Sequence, residues 1–133
     1  MNSGLGWWLV FTGRRICWQF RSVVNICSTS AYKGSPGQFA YTASKWAVRG
    51  MTRAAAIELG PDRIRVNGIF PGLIDTPMVA GIQGKQREDI LAKVPLGRIG
   101  HPDDVAGAAL YLSSPLSAWV SGAELVVSGA YAT

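Results

Sequence analysis

The apolar positions of this chain fall into short runs separated by turn formers, and the period within the runs changes along the sequence. Ser22-Val23-Val24-Asn25-Ile26-Cys27 is a compact run typical of a buried strand. The Ser, Gly and Pro residues between Ser28 and Gly37 close it, so Ser28 falls at the C-terminal edge of that strand. From Gln38 to Leu59 the period lengthens. Ala43, Ala47, Met51, Ala54 and Ala55 recur at helical spacing, and Gly60-Pro61 ends the segment. Small residues on that stripe predict close packing. Ile64 to Phe70 returns to a strand pattern and passes through Pro71-Gly72 into a loop rich in turn formers. Strand, helix and strand joined at this length imply a right-handed crossover and parallel pairing. Ligands of such sheets gather at the strand C-terminal ends, where both Ser28 and the Pro71 loop belong.

Further along, Lys85 to Ala92 reads as a short helix. Pro102 to Ser113 reads as another, with Pro at its first position, Asp103 and Asp104 in its first turn, and Val105, Ala108, Ala109 and Leu112 as its buried stripe. Leu125-Val126-Val127 supplies a last buried strand. Residues 73 to 93, between the Pro71-Gly72 turn and the later helix, are expected to form a flexible flap that sets substrate preference. The sequence has no internal repeat, low-complexity tract or linker.

Composition narrows the class. At 133 residues and 48% hydrophobic, the chain has the size and apolar content of one globular domain. Its longest apolar runs, such as Leu5 to Phe11, fall far short of the roughly 18 residues needed to cross a bilayer, so no membrane anchor is expected. Arg14 and Arg15 follow that run instead of preceding it, which argues against a signal peptide. Cys17 and Cys27 make no disulfide framework, and a reducing cytoplasm is expected. The net charge of +5 is uneven, because every acidic residue lies at Glu58 or beyond. Arg14, Arg15 and Arg21 are not interleaved into a recognition motif, so the basic half reads as solvated surface and no nucleic-acid partner is expected. His101 is the only histidine, and no Gly-x-Ser-x-Gly, His-Glu-x-x-His or Cys-x-x-Cys occurs; neither a serine hydrolase nor a metal site is indicated. His101 precedes a helix-starting Pro and reads as a cap residue.

One constellation carries chemistry. Tyr41 and Lys45 stand four residues apart, which on a helix places phenol and ammonium on one face about one turn apart. A free phenol ionises only near pH 10, and a neighbouring cation favours its phenolate, so the pair can move a proton. Ser28, on a different element, can donate a hydrogen bond to a substrate oxygen and hold it against the Tyr41 hydroxyl. A carbonyl or carbinol suits that geometry. Taken singly, each residue also has a plain structural use: Ser28 can cap a turn, Tyr41 and Lys45 can form a helix surface, and Thr76 can satisfy a loop amide.

The order Ser28, Tyr41-x3-Lys45, Arg65-Val66-Asn67, Pro71-Gly72-x-Ile74-x-Thr76, Gly100-x-Pro-x-Asp-Val-Ala106 and Val120-Ser121-Gly122-Ala123-Glu124 resembles the short-chain dehydrogenase/reductase family across residues 22 to 133. Within it, Trp46-Ala47-Val48-Arg49-Gly50 and Gly122-Ala123-Glu124-Leu125 look most similar to bacterial 3α/20β-hydroxysteroid dehydrogenases and 3-oxoacyl reductase relatives. The resemblance implies an α/β fold: the C-terminal half of a Rossmann-type doubly wound parallel sheet. It also implies an oxidoreductase that uses NAD or NADP to interconvert a hydroxyl and a carbonyl on a small molecule, steroid-like or 3-oxoacyl. Tyr41 would be the general acid in reduction and the base in oxidation. Ser28 would orient the carbonyl, and Lys45 would support Tyr41 electrostatically while binding the nicotinamide ribose. Pro71, Gly72, Ile74 and Thr76 would hold the nicotinamide carboxamide, with Tyr41 and Lys45 completing the cofactor contacts. Homo- or hetero-oligomers with subunits of the same family are also implied.

The sequence departs from the family pattern at its start. The expected Gly-rich strand-turn-helix that cradles a pyrophosphate is missing, since Thr12-Gly13 is followed by Arg14-Arg15-Ile16-Cys17 without further glycines. Residues 1 to 21 are therefore left unassigned, as either an improvised cover or a frameshifted start. Two functions of different class follow. One is an active oxidoreductase; the other is a catalytically silent remnant or interaction subunit that cannot hold the dinucleotide alone. The central parallel strand would then have an unpaired edge.

Overall fold

The computed structural model describes residues 21–34 and 36–131, so the expectations for residues 1–20 lie outside the described residues. Six regular elements follow in the order β1 (Arg21–Ile26), α1 (Phe39–Glu58), β2 (Ile64–Pro71), α2 (Gly84–Leu91), α3 (Pro102–Ser113) and β3 (Glu124–Val127). Each begins and ends within about two residues of the boundary read from the apolar pattern. The three strands form one parallel sheet in the order β1-β2-β3, with Ile26 opposite Ile69 and Phe70 opposite Val126. Parallel register puts the C-terminal ends of all three strands at one edge, where Ser28, Gly72 and Ser128 follow their strands.

β2 lies between the other strands and is buried from Arg65 to Phe70, as expected of a parallel strand covered on both faces. Val66, Ile69 and Phe70 are fully buried, and Leu112 joins them from α3. The polar residues among them are satisfied. Asn67 donates through Nδ2 to Val120 O at 2.8 Å and accepts from Ala123 N at 3.0 Å, pinning the approach to β3 onto β2. Arg65 donates to Ser117 Oγ at 2.9 Å and to Val120 O at 3.3 Å, and Ser117 Oγ passes the chain of bonds on to Leu112 O at 3.0 Å in the last turn of α3. The guanidinium thus reaches the carbonyl end of α3, where a positive charge is favoured.

At the other end of α3, His101 acts as the predicted cap. Its Nδ1 accepts from Asp103 N at 3.3 Å, while Asp104 accepts from His101 N at 2.7 Å, a reciprocal pair that closes the first turn. Val105, Ala108 and Ala109 are partly buried and Leu112 fully, which agrees with the stripe read from the sequence.

The small-residue stripe of α1 behaves differently. Ala43, Ala47 and Ala54 are exposed, Met51 is 44% exposed, and only Ala55 of that set is buried. The inward face is instead built from Thr42, Lys45, Val48, Arg49, Thr52 and Ala55. Thr52 is accepted there because partners meet it, Asn25 Nδ2 donating to Thr52 Oγ1 at 3.0 Å and Thr52 Oγ1 donating to Val48 O at 2.7 Å, whereas the buried Thr42 hydroxyl has no partner among the described residues. Residues 73 to 93 contain a short 3-10 turn at Pro77–Val79 and then α2, with no buried residue in either.

Candidate active site

Ser28 leaves β1 and caps a 3-10 turn at Thr29–Ala31, its Oγ accepting from Ser30 N at 3.1 Å. The residue is 8% exposed. A hydroxyl carries one proton and two lone pairs, so this cap leaves the Ser28 proton to donate elsewhere. The turn-capping use and the substrate-orienting use of Ser28 are therefore compatible.

Helix α1 faces that turn. Lys45 Nζ donates to Ile26 O at 3.3 Å and stands 5.5 Å from the centre of the Tyr41 ring, while the Cys27 thiol donates to Lys45 O at 3.1 Å. Burial pushes the Cys27 thiol above its ordinary value, as befits a packing residue and not a thiolate nucleophile. The four-residue spacing thus sets the Lys45 ammonium beside the Tyr41 ring, and of the two side chains it is Lys45 that reaches the end of β1. Ser28 follows two residues after Ile26. The Ser28 and Tyr41 hydroxyls are not hydrogen-bonded to each other, and Tyr41, at 38% exposure, faces the open side.

Pro71 and Gly72 prolong β2 at the same edge. Gly72 N donates to Val127 O at 2.9 Å, and a Cβ on Gly72 would stand 2.9 Å from both Cα and Cβ of Ser128, so only glycine admits this approach between the strands. Beyond it, Ile74 forms a parallel bridge with Gly100, fixed by Gly100 N donating to Leu73 O at 3.0 Å and Asp75 N donating to Gly100 O at 2.8 Å. Thr76 follows, its hydroxyl making only a long 3.4 Å contact with Ile74 O. The Pro71, Gly72, Ile74 and Thr76 segment therefore projects from the strand next to Ser28 on a braced loop.

Sequence reasoning quoted Arg49 and Glu124 only as motif letters and passed over Tyr32. Glu124, at the start of β3, accepts from Arg49 Nε at 2.8 Å, Arg49 Nη2 at 2.9 Å and Tyr32 Oη at 2.9 Å, and forms an ion pair with Arg53 Nη2 at 2.7 Å. The Arg49 bonds hold the Glu124 carboxyl below its ordinary range. Burial, followed by the hydrogen bond to that carboxylate, pushes the Tyr32 phenol up to about 12. The four-residue spacing from Tyr41 through Lys45 and Arg49 to Arg53 was the available signal for this cluster. Among the described residues no cluster of His, Cys, Asp and Glu is arranged to hold a metal ion, and no helix is long and apolar enough to cross a membrane.

A parallel sheet with helices, its strand C-terminal ends gathered at one edge, defines a class: part of a Rossmann-type α/β fold. The family model described as enoyl-(acyl carrier protein) reductase matches residues 13–132, and the chain belongs to the short-chain dehydrogenase/reductase family. It is similar to the 3-oxoacyl-(acyl-carrier-protein) reductase of Thermotoga maritima, 44% identical over 108 residues that make up 81% of this chain and 44% of that protein. It is 43% identical over 108 residues to a 3α-hydroxysteroid dehydrogenase of Mediterraneibacter gnavus, covering 81% of this chain and 43% of the relative. Among solved structures, a 7α-hydroxysteroid dehydrogenase complexed with NADH and 7-oxo glycochenodeoxycholic acid superposes with a TM-score of 0.78 at 38% identity, covering 81% of this chain and 43% of the other. The chain thus spans less than half the length of each of these proteins.

Proposed function

We propose that residues 22–133 form the proton-transfer half of an NAD(P)-dependent oxidoreductase that interconverts a hydroxyl and a carbonyl on a small molecule, steroid-like or 3-oxoacyl, in the cytoplasm. The observation that carries this reading is Lys45, whose ammonium bridges the end of β1 and the Tyr41 ring beside the Ser28 turn. Ser28 donates its free proton to the substrate oxygen and fixes it. Tyr41, open to solvent on one side, gives or takes the proton at that oxygen, an assistance typically worth about 10² to 10⁴ in rate. The flap of residues 73–93 sets substrate preference.

The residues present fit the nicotinamide end of a dinucleotide. Lys45 spends one of its three N–H donors on Ile26 O and keeps two for ribose hydroxyls. Thr76, with only a long internal contact, can turn its hydroxyl to a carboxamide, beside the loop that Pro71, Gly72 and Ile74 shape. When bound, the nicotinamide supplies the hydride. The names of the similar proteins support both substrate classes, and NADH in one of the solved structures supports the cofactor.

A second reading has its own observation. The outer face of α1 exposes Phe39 at 89%, Trp46 at 48%, Met51 at 44% and Ile57 at 81%, a run of apolar side chains that fits a silent subunit paired with others of its family. Titrating reduced NADH and NADPH into the full chain by calorimetry separates the two. Saturable binding that weakens in Lys45→Met supports the enzyme, and heats no larger than dilution for both cofactors discard it in favour of the silent subunit.

A further inference from the structure

Tyr41, Lys45, Arg49 and Arg53 follow one another at intervals of four along α1, so the ridge that carries the proposed proton-transfer pair continues into two arginines. Three cations at this spacing repel one another along the helix. Glu124 answers the two at the far end: it takes Arg49 through two hydrogen bonds and pairs with the Arg53 guanidinium at 2.7 Å, with the Glu124 and Arg49 side chains only 15% and 18% exposed. A bidentate pair this sheltered fixes orientation as well as distance.

The same carboxylate reaches the other half of the site. Tyr32, at the end of the Ser28 turn, donates its hydroxyl to Glu124 at 2.9 Å, and its ring packs 5.0 Å from the centre of Phe70. Arg49 then doubles the link, because Nη1 donates to Ala31 O at 2.9 Å while its guanidinium lies 4.3 Å above the Tyr32 ring. Ala31 is fully buried, and its amide donates to Ser28 O at 3.0 Å. Every bond of the turn that starts at Ser28 is thus tied, within one or two residues, to a group that Glu124 holds.

We propose that Glu124 is a positioning residue, its carboxylate fixing the turn that presents Ser28 against the helix that presents Tyr41 and Lys45. The inference rests on the reading of Ser28, Tyr41 and Lys45 as a reacting site, but its geometry can be tested without turnover. Without the carboxylate, the three-cation ridge loses its counter-charge, Tyr32 loses its acceptor, and the Ser28 turn keeps the Arg49 bond to Ala31 O and the packing of Ala31 and Tyr32 on Phe70.

Amide hydrogen exchange of the full chain and of Glu124→Gln tests this, with Tyr32→Phe as a milder second variant that keeps the ring on Phe70. The expectation is exchange at least about tenfold faster at Ser30, Ala31 and Tyr32 in Glu124→Gln, a smaller increase at the same amides in Tyr32→Phe, and sheet amides such as Cys27 and Gly72 changed less than about twofold. Uniform acceleration across turn and sheet, or an unchanged turn, overturns the proposal and leaves Glu124 an ordinary stabilising group. In the enzyme reading, Glu124→Gln also lowers kcat about tenfold with the cofactor KM unchanged. A change confined to KM counts against positioning. Absence of any turnover in the unsubstituted chain counts against the enzyme reading alone, since the exchange pattern is read independently of it.

Discussion

Gly72→Ala offers a sharp test of how the strands deliver the loop to the site. The substitution places a methyl group 2.9 Å from Ser128 Cα, 2.9 Å from Ser128 Cβ and 3.4 Å from Ser128 O. These neighbours are backbone or next to it, and both sides are pinned: Gly72 N donates to Val127 O at 2.9 Å, and Ser128 O accepts from Tyr131 N at 3.2 Å. The strands must therefore part by several tenths of an ångström, and overpacking of this kind costs about 1–3 kcal/mol. For a urea dependence of about 1–3 kcal/mol per molar, typical of small proteins, a loss near the middle of that range lowers the unfolding midpoint by about 1 M. Gly50→Ala is the matched control. Gly50 lies inside α1 with nothing within 4 Å of an added Cβ, so the same change there raises stability by about 0.5–1 kcal/mol. Urea unfolding followed by far-ultraviolet circular dichroism reads both. Midpoints that move in the same direction, or a Gly72→Ala midpoint equal to that of the unsubstituted chain, refute the packing argument.

Two other outcomes follow from the buried polar groups. Asn67→Leu removes the bonds to Val120 O and from Ala123 N and leaves both backbone groups to find other partners, an expected loss of about 1–3 kcal/mol for each group stranded without water, and a loss below 0.5 kcal/mol in the same urea assay contradicts it. The Arg49 bonds to Glu124 and the burial of Tyr32, followed by its bond to Glu124, make stability depend on pH at both extremes. Because the folded Glu124 carboxyl lies below its ordinary 4.5, its contribution is present above that pH and lost as pH falls further, whereas the Tyr32 phenol, pushed up to about 12, contributes below pH 10 and loses its contribution as pH rises toward 12. Chemical denaturation across pH should therefore show the acid limb flattened in Glu124→Gln and the alkaline limb flattened in Tyr32→Phe, and limbs of unchanged slope in these variants would remove the assignment.

Much of the fold was legible because it is written in local periodicity. β1, β2 and β3 are short apolar runs ended by turn formers, and α3 announces itself through His101, Pro102 and two aspartates that complement its N-terminal dipole. Ser28, Tyr41, Lys45 and the Pro71 loop were legible for another reason: their spacings matched a family pattern. What the sequence concealed was the direction in which α1 faces. An alanine stripe reads as buried when side chains are judged one at a time, yet Arg49 and Thr52 take the inside, since Glu124 and Asn25, 75 and 27 residues away in the chain, supply their hydrogen bonds. Apolar pattern alone cannot weigh a partly buried arginine without its distant partner. The Gly72–Ser128 approach was hidden in the same way, because it depends on strand register and not on either residue's neighbours in sequence.

In the enzyme reading, the Tyr41 hydroxyl transfers the proton at a substrate oxygen. Oxidation of NADH or NADPH by the full chain, followed at 340 nm with a 3-oxosteroid or a 3-oxoacyl thioester, measures it directly when repeated with Tyr41→Phe and with cofactor binding determined on the same samples. The expected result is turnover reduced about 10²- to 10⁴-fold in Tyr41→Phe with cofactor affinity unchanged. Equal turnover in the two proteins contradicts it.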